Sequence, residues 1–146
     1  MTKPGGSLSV LAEILRPLVT FEPIDSAPNY SIGKLSSHLR VSLRTLRFYE
    51  QTGLLQPARE GIRRLYSPED LERLEVIVAL RELEVSLTGI KALLTIVDSG
   101  GPTVEERAKS QLDKLLGELE KTNVTRIREL ETINRRIDQA RKAATL

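Results

Sequence analysis

The stretch Val41-Ser-Leu-Arg-Thr-Leu-Arg-Phe-Tyr-Glu-Gln-Thr-Gly-Leu-Leu55 decides the fold of this chain. Its pattern predicts one short helix that begins after Ser42, whose hydroxyl can cap the free amides of the first turn. The helix is predicted to end at Gly53, because glycine tolerates the left-handed conformation that often closes a helix. Arg44 and Arg47 are three residues apart and therefore share an outer face, while the leucines of the first two turns can face inward. A short basic helix with an apolar back suits the major groove of DNA.

Positive charge is concentrated around this helix. Residues 30–66 hold seven lysines and arginines and two glutamates, and seven minus two gives +5, whereas the whole chain carries only +2. The rest of the chain therefore carries −3. Cationic side chains gathered on one segment are the electrostatic footprint of a polyanionic partner.

The composition excludes several kinds of protein. The 146 residues include no cysteine, which excludes disulfides, thiolate metal sites and thiol redox sensing within the chain and fits a reducing cytoplasm. No apolar run is long enough for a membrane span, and Pro17 and nearby charges interrupt the N-terminal run, unlike a signal peptide. The single histidine, His38, is expected on the surface at a helix end. With no glycine-rich phosphate loop, we predict no cofactor, no metal and no enzyme activity.

Residues 1–28 are predicted to form an N-terminal extension. A flexible lead is expected over Lys3–Ser7, followed by a short amphipathic helix that Pro17 distorts at its end. Two interpretations stay open for this helix. It is either a tail that docks weakly on its own protein or a helix that binds a partner or a second copy.

Residues 29–99 are predicted to form a winged helix-turn-helix domain. A helix that starts near Ser31 precedes the basic helix across a tight turn, as in a helix-turn-helix. A turn over Pro57–Gly61 then joins two extended pieces, of which Ile62–Tyr66 is the second strand of a wing. Two further helices are expected to begin at Ser67 and Ser86.

Residues 103–141 are predicted to form one long helix, followed by a tail at 142–146. Apolar residues recur along it at seven-residue spacing, and a lone helix with an apolar stripe must bury that stripe. A coiled coil between two copies is the economical interpretation, and packing against its own domain is the alternative. The residues expected at the dimer seam are Leu112, Leu116, Leu119, Asn123, Leu130, Ile133 and Ile137.

Several ordered blocks resemble the MerR family of bacterial transcription regulators. The blocks are Tyr30–Leu35, Val41–Glu50, Gly53–Leu55, Arg64–Asp70 and Glu82–Lys91, and they cover about residues 30–97. The resemblance implies a mainly α fold, in which a winged helix-turn-helix DNA-binding domain is followed by a long dimerisation helix. It also implies a homodimer held by an antiparallel coiled coil of the long helices.

The resemblance implies a cytoplasmic, sequence-specific regulator that binds a pseudo-palindromic promoter element in double-stranded DNA. Many members distort the DNA between the two polymerase recognition elements, so RNA polymerase is an implied partner at the promoter. The alternative is an architectural DNA-bending or assembly protein that does not control transcription. Metal-sensing relatives have cysteines near the end of the long helix and drug-sensing relatives have an additional domain. This sequence has neither, so a small-molecule effector is left unassigned.

The basic helix is expected to supply the main DNA contacts. Arg44 and Arg47 are predicted to face the groove, since arginine can bridge two acceptors on guanine or clamp a phosphate. Thr45 and Tyr49 are expected to donate to phosphates or base edges, and for Tyr49 the alternative is burial with only the hydroxyl exposed. Phe48, where the family usually has tyrosine, is expected in the core.

The wing is expected to supply the remaining contacts. Its arginines can reach flanking phosphates or the minor groove, although one of them is expected to pair with Glu60 or Asp70 instead. Arg63 stands where the family commonly has an aromatic residue. Tyr66 either donates to a phosphate or packs the wing onto the domain, and Ser42 is chiefly a cap with a phosphate contact. The predicted DNA-contact residues are Ser42, Arg44, Thr45, Arg47, Tyr49, Arg59, Arg63, Arg64 and Tyr66.

Overall fold

The structure, a computed structural model, describes residues 6–146 and is mainly helical. This confirms the predicted fold class, a winged helix-turn-helix followed by a long helix. The predicted flexible lead lies, up to Gly5, outside the described residues. The elements in chain order are α1 (Ser7–Leu15), a 3₁₀ turn (Arg16–Leu18), α2 (Ile32–Leu39), α3 (Leu43–Gln51), β1 (Ala58–Glu60), β2 (Arg63–Leu65), α4 (Pro68–Glu82), α5 (Leu87–Ser99) and α6 (Val104–Ala144).

The first helix docks on its own protein. α1 packs against α4, where Leu11 and Leu15 are fully buried. The hydroxyl of Ser9 also donates to the carboxylate of Glu72 at 2.8 Å. Of the two interpretations left open for the N-terminal extension, the structure shows docking on the protein's own domain. The 3₁₀ turn that contains Pro17 is the distorted helix end that the sequence predicts.

Two serines start the two helices of the helix-turn-helix. Ser31 accepts a hydrogen bond from the amide of Lys34, and Ser42 accepts one from the amide of Thr45, as side-chain caps do. The predicted start of α3 is confirmed, and Gly53, with φ +82°, follows its end. Of the two leucines expected to face inward, Leu46 is fully buried and Leu43 is exposed.

The wing is a two-stranded antiparallel hairpin. Ala58 pairs with Leu65 and Glu60 pairs with Arg63, so the turn is the dipeptide Gly61-Ile62. The predicted turn over Pro57–Gly61 is therefore wrong, because Ala58–Glu60 is the first strand. Gly61 has φ +64°, which a two-residue hairpin turn with glycine in its first central position requires.

The base of the wing is tied to the chain before α2. Tyr30 and Tyr66 exchange two backbone hydrogen bonds as an isolated bridge, which links the wing to the segment ahead of α2. Immediately afterwards, Ser67 and Asp70 form the predicted capping box that starts α4.

The core of the first compact unit surrounds α4. This unit ends at Gln111, and the side chains of Leu74, Ile77 and Leu80 are fully buried within it. α5 contributes Ile90 and Leu93 to the same buried set. Leucine, isoleucine and valine supply most of this core, because only 3% of the residues in the chain are aromatic.

The second compact unit, residues 112–146, consists mainly of the distal part of α6. The helix has 41 residues and extends to Ala144, three residues beyond the predicted end. The large apolar residues exposed along it are Val124, Ile127, Leu130, Ile133 and Ile137. Val124 and Ile127 are not in the predicted seam, so the stripe is wider than the heptad count indicates. Across residues 6–146, no helix has the length and apolar character to span a membrane.

Candidate nucleic-acid interface

Three arginines are free to bind an anion. Arg44 and Arg47 are exposed on α3, and Arg63 is exposed on β2. Within the part of the chain that the structure describes, none of the three guanidinium groups is engaged by a carboxylate or a hydrogen bond. Their charge is therefore available to phosphate oxygens and to the acceptors on base edges.

Two hydroxyls lie at the start of the same helix. The side-chain oxygens of Ser42 and Thr45 are 2.9 Å apart, and Ser42 also accepts the amide hydrogen of Thr45. Capping is thus the established contact of Ser42. Because hydroxyls both donate and accept, the pair can add a phosphate contact beside the positive end of the helix dipole.

The other two wing arginines are held by Glu50. The carboxylate of Glu50, near the end of α3, lies 2.7 Å from the Nε of Arg64 and 3.0 Å from a terminal nitrogen of Arg59. The pairing partner is therefore Glu50, and the expected pairing with Glu60 or Asp70 is wrong for both arginines. Hydrogen bonding to Glu50 raises the pKa of Arg64.

The pairing fixes the wing to α3 and still leaves donors free. A guanidinium has five N–H groups, so an arginine bound through one nitrogen can still donate to a phosphate. Arg59 is about half exposed as a side chain, and Arg64 is less exposed. Both can therefore contact DNA while they hold the hairpin in place.

Two predicted tyrosine donors are buried. Tyr66 is fully buried, its hydroxyl donates to Glu50 at 3.4 Å, and burial raises its pKa to about 12. Of the two roles left open for Tyr66, the structure shows wing packing. Tyr49 is also buried, and that burial raises its pKa, an effect that nearby Arg81 partly offsets.

Phe48 takes the exposed position instead. The side chain of Phe48 is 44% exposed, so the expectation that it lies in the core is wrong. Helical spacing gives the reason. Phe48 is four residues after Arg44 and shares its outer face, whereas Tyr49 is three residues after buried Leu46. The spacing of Phe48 from Arg44 and of Tyr49 from Leu46 is a local signal that distinguishes the two aromatic positions.

His38 lies in the interior, contrary to the expectation of a surface position. Only 7% of it is exposed, its Nε2 lies 2.8 Å from Glu75 Oε2, and its Nδ1 donates to the backbone carbonyl of Glu22. Arg16 reaches the other oxygen of Glu75 at 2.8 Å. The N-terminal extension covers the histidine, and no local pattern predicts that cover.

The set of Arg16, His38 and Glu75, the Glu75 cluster, joins the extension to α2 and α4. Glu75 is buried and accepts from two cationic or polar donors, which offsets the cost of burying a carboxylate. Among residues 6–146, no group of histidines and carboxylates is arranged to hold a metal ion.

Comparison with known sequences gives one family and several regulators. The family described as "MerR HTH family regulatory protein" matches residues 30–95. An HTH-type transcriptional regulator, a ZntR homolog of Haemophilus influenzae, is 35% identical over 113 residues, which are 76% of this chain and 80% of that protein. The regulator ZntR of Escherichia coli K12 is 34% identical over 117 residues, which are 78% and 79% of the two chains.

Solved structures with the same architecture include two regulators. HiNmlR, a MerR family regulator that lacks the sensor domain and was solved bound to promoter DNA, is similar with a TM-score of 0.59 and 27% identity. The match covers 81% of this chain and 94% of HiNmlR. PbrR691 from Ralstonia metallidurans CH34, solved with lead(II), gives a TM-score of 0.63 and 29% identity over 77% of this chain and 86% of that chain.

Proposed function

The chain belongs to the MerR family, and from that premise we propose that it regulates transcription by binding promoter DNA as a homodimer. The observation that carries this proposal is the set of three unpaired, exposed arginines, Arg44, Arg47 and Arg63, on α3 and the wing. Glu50 joins the wing to α3, so the exposed arginines of both elements belong to one surface. Such a cationic surface is suited to a polyanion.

We assign the major groove to α3. Arg44 and Arg47 share the outer face of this helix, and a B-DNA major groove admits one α-helix. Each arginine can donate two parallel hydrogen bonds to guanine or clamp a phosphate. Ser42 and Thr45 add hydroxyl donors at the start of the helix, where the helix dipole favours an anion.

We assign the flanking DNA to the wing. Arg63 is free, and Arg59 and Arg64 keep unused donors while bound to Glu50. Phosphate contacts of this kind position the protein on the duplex without reading its sequence. The buried tyrosines, Tyr49 and Tyr66, support this surface by packing and take no part in the proposed contacts.

The long helix supports the homodimer. We propose that residues 29–99 form the DNA-binding domain and that residues 103–141 pair with a second copy as an antiparallel coiled coil. The exposed apolar stripe on α6 supports this pairing, because an amphipathic helix buries such a stripe against a partner. A two-fold dimer matches a pseudo-palindromic element, and one half-site for each protomer permits distortion of the DNA between them.

The partners of the proposed function are double-stranded DNA, a second copy of the chain and RNA polymerase at the promoter. The role is binding, and we assign it no catalysis, since the relatives described above are named as regulators. We propose that the protein acts in the bacterial cytoplasm, where promoter DNA lies.

Selection of duplexes from a random-sequence pool, followed by fluorescence anisotropy, tests the proposal. We expect one pseudo-palindromic sequence to be enriched, with a stoichiometry of two protomers for each duplex. Affinity is expected to fall steeply with salt, by about 0.9 log units per phosphate contact for each log unit of salt. A monomeric protein, or binding that salt does not weaken, contradicts the proposal.

A further inference from the structure

The tip of the wing carries an unusually exposed apolar side chain. Ile62 is 94% exposed, and among the large apolar residues described at 6–146 only the terminal Leu146 is more exposed. An isoleucine in a two-residue turn packs against nothing in its own domain, and polar residues serve such turns equally well. Because the side chain of Ile62 stays in water, it adds almost no hydrophobic free energy to folding.

The turn presents this side chain in a fixed direction. Gly61 takes the positive φ of the tight turn, and Ile62 is the second turn residue, directly before free Arg63 on β2. Behind the tip, Glu50 binds one arginine on each strand, so the hairpin is anchored to α3. A hairpin anchored in this way, with one apolar and one cationic side chain at its tip, is suited to a narrow polyanionic groove.

We propose that Ile62 lies in the DNA minor groove that flanks the element bound by α3, against deoxyribose and base edges. This inference rests on the proposed function and adds a residue that selects sequence at the flanks. Isoleucine cannot hydrogen-bond a phosphate, so its favourable contacts on a duplex are apolar sugar and base surfaces. Minor-groove binding proteins use apolar side chains, isoleucine among them, as wedges between base steps.

The geometry selects the minor groove over the major groove. With α3 in the major groove, as proposed above, and the hairpin held at the last turn of α3, we expect the tip to lie over the neighbouring groove. The minor groove is about 6 Å wide, which suits a single side chain at a two-residue turn. Arg63 is then placed for the phosphates that line the groove.

The contact predicts a preference for base pairs without a 2-amino group. Guanine places its 2-amino group in the minor groove, and inosine lacks only that group while presenting the same major-groove acceptors. A buried isoleucine is obstructed by the amino group. Flanks that contain inosine–cytosine pairs are therefore expected to bind better than flanks with guanine–cytosine pairs.

The experiment compares Ile62→Ser with wild type on the duplex that wild type selects from a random pool. We expect Ile62→Ser to weaken binding about fivefold to tenfold, the effect of losing roughly half of a buried isoleucine surface. The salt slope is expected to stay unchanged, because no phosphate contact is lost. Arg63→Ala, in contrast, is expected to lower the slope by about 1.

The flank series separates the groove contact from other apolar contacts. Wild type is expected to bind inosine-substituted flanks several-fold better than guanine flanks, and Ile62→Ser is expected to lose that difference. Leu18→Ser is the matched control, because Leu18 is 59% exposed on the N-terminal extension, away from the proposed surface. Ile62→Val provides a graded change if the serine variant folds poorly.

The outcomes distinguish the inference from the proposed function. The inference is overturned if Ile62→Ser and wild type bind with equal affinity, which is also the result expected if Ile62 contacts a protein partner instead of DNA. It is overturned as well if both proteins show the same inosine preference. Failure of wild type to select any duplex overturns the proposed function itself. A loss of affinity in Leu18→Ser equal to that in Ile62→Ser also overturns the inference, since the effect is then not local to the wing.

Discussion

The carboxylate of Glu50 lies 2.7 Å from the Nε of Arg64 and also binds Arg59 at 3.0 Å. The two arginines are directly opposite each other in the hairpin, one on each strand. Like charges in that arrangement repel, and a shared carboxylate removes the repulsion. One side chain of α3 therefore both stabilises the wing and sets its position relative to α3.

Glu50→Gln is expected to lower sequence discrimination while raising non-specific affinity. The change removes one negative charge, which strengthens binding to any duplex, and it weakens the attachment of the wing to α3, which weakens binding to the selected duplex. We expect the ratio of selected to random duplex affinity to fall about tenfold, as a lost charged hydrogen bond predicts. Anisotropy with both duplexes at one salt concentration measures this ratio.

The matched control is Glu60→Gln. Glu60 lies on the same strand as Arg59 and is exposed, so the variant has the same charge change near the same groove. It leaves the contacts of Glu50 intact. An equal loss of discrimination in both variants shows that charge alone matters, which contradicts the proposed positioning role of Glu50.

Arg47→Ala is expected to weaken binding to the selected duplex by about 1–3 kcal/mol. Arg47 is exposed on α3 and its guanidinium is unpaired within the described chain, so its loss disturbs no internal contact. Anisotropy at several salt concentrations measures the affinity and the salt slope together. Arg141→Ala, near the far end of α6, is the control, and a comparable loss there contradicts a local role for Arg47.

Glu75→Gln is expected to destabilise the protein by about 2–3 kcal/mol. Glu75 is buried and binds both His38 and Arg16, so the change weakens two charge-assisted hydrogen bonds. The loss is smaller than for a fully buried ion pair, because the Arg16 side chain is 43% exposed and solvent screens its charge. Urea unfolding measures the change. Glu13→Gln, an exposed change on α1, is the control and is expected to be neutral.

Asn123→Leu is expected to raise the thermal stability of the dimer and to permit other pairings. A polar residue in a coiled-coil seam costs stability and fixes the register of the helices. We expect a gain of roughly 1 kcal/mol, or a few degrees in Tm. Calorimetry and sedimentation measure Tm and oligomer size. If both are unchanged, Asn123 does not lie in a seam.

The stability of the protein is expected to fall between pH 10 and pH 12. In the folded protein burial raises the pKa of Tyr66 from 10.0 to about 12, so the unfolded chain releases this proton first. The stabilising contribution is complete below pH 10 and is lost as pH rises toward 12. Urea unfolding of wild type and Tyr66→Phe from pH 8 to 11.5 measures it.

The difference between the two proteins isolates the contribution of Tyr66. The phenylalanine variant lacks the titrating group, so its free energy of unfolding is expected to fall less than that of wild type. The difference between the two falls is expected to reach about 2 kcal/mol over the range. Other groups titrate equally in both proteins. Parallel curves for the two proteins show that Tyr66 has no raised pKa.

The sequence alone determined the helices and their order. Helix starts are local events, because a serine caps amides only two or three residues away, and Ser31, Ser42 and Ser67 all do so. The apolar spacing and the charge of residues 30–66 are equally local, so α3 and the shared face of Arg44 and Arg47 were predictable. The wing was predictable as a hairpin, but the position of its turn was not. Isoleucine favours extended backbone, so Ile62 was assigned to the second strand although it lies in the turn.

The tertiary structure alone decided which predicted site residues are free. Glu50 binds Arg59 and Arg64 from nine and fourteen residues away, and Glu75 binds Arg16 and His38 across 59 and 37 residues. Sequence spacing does not encode such pairings, since they depend on how helices and strands pack. Burial of a side chain is likewise a property of the assembled core, because the surface that covers His38 comes from a distant segment of the chain.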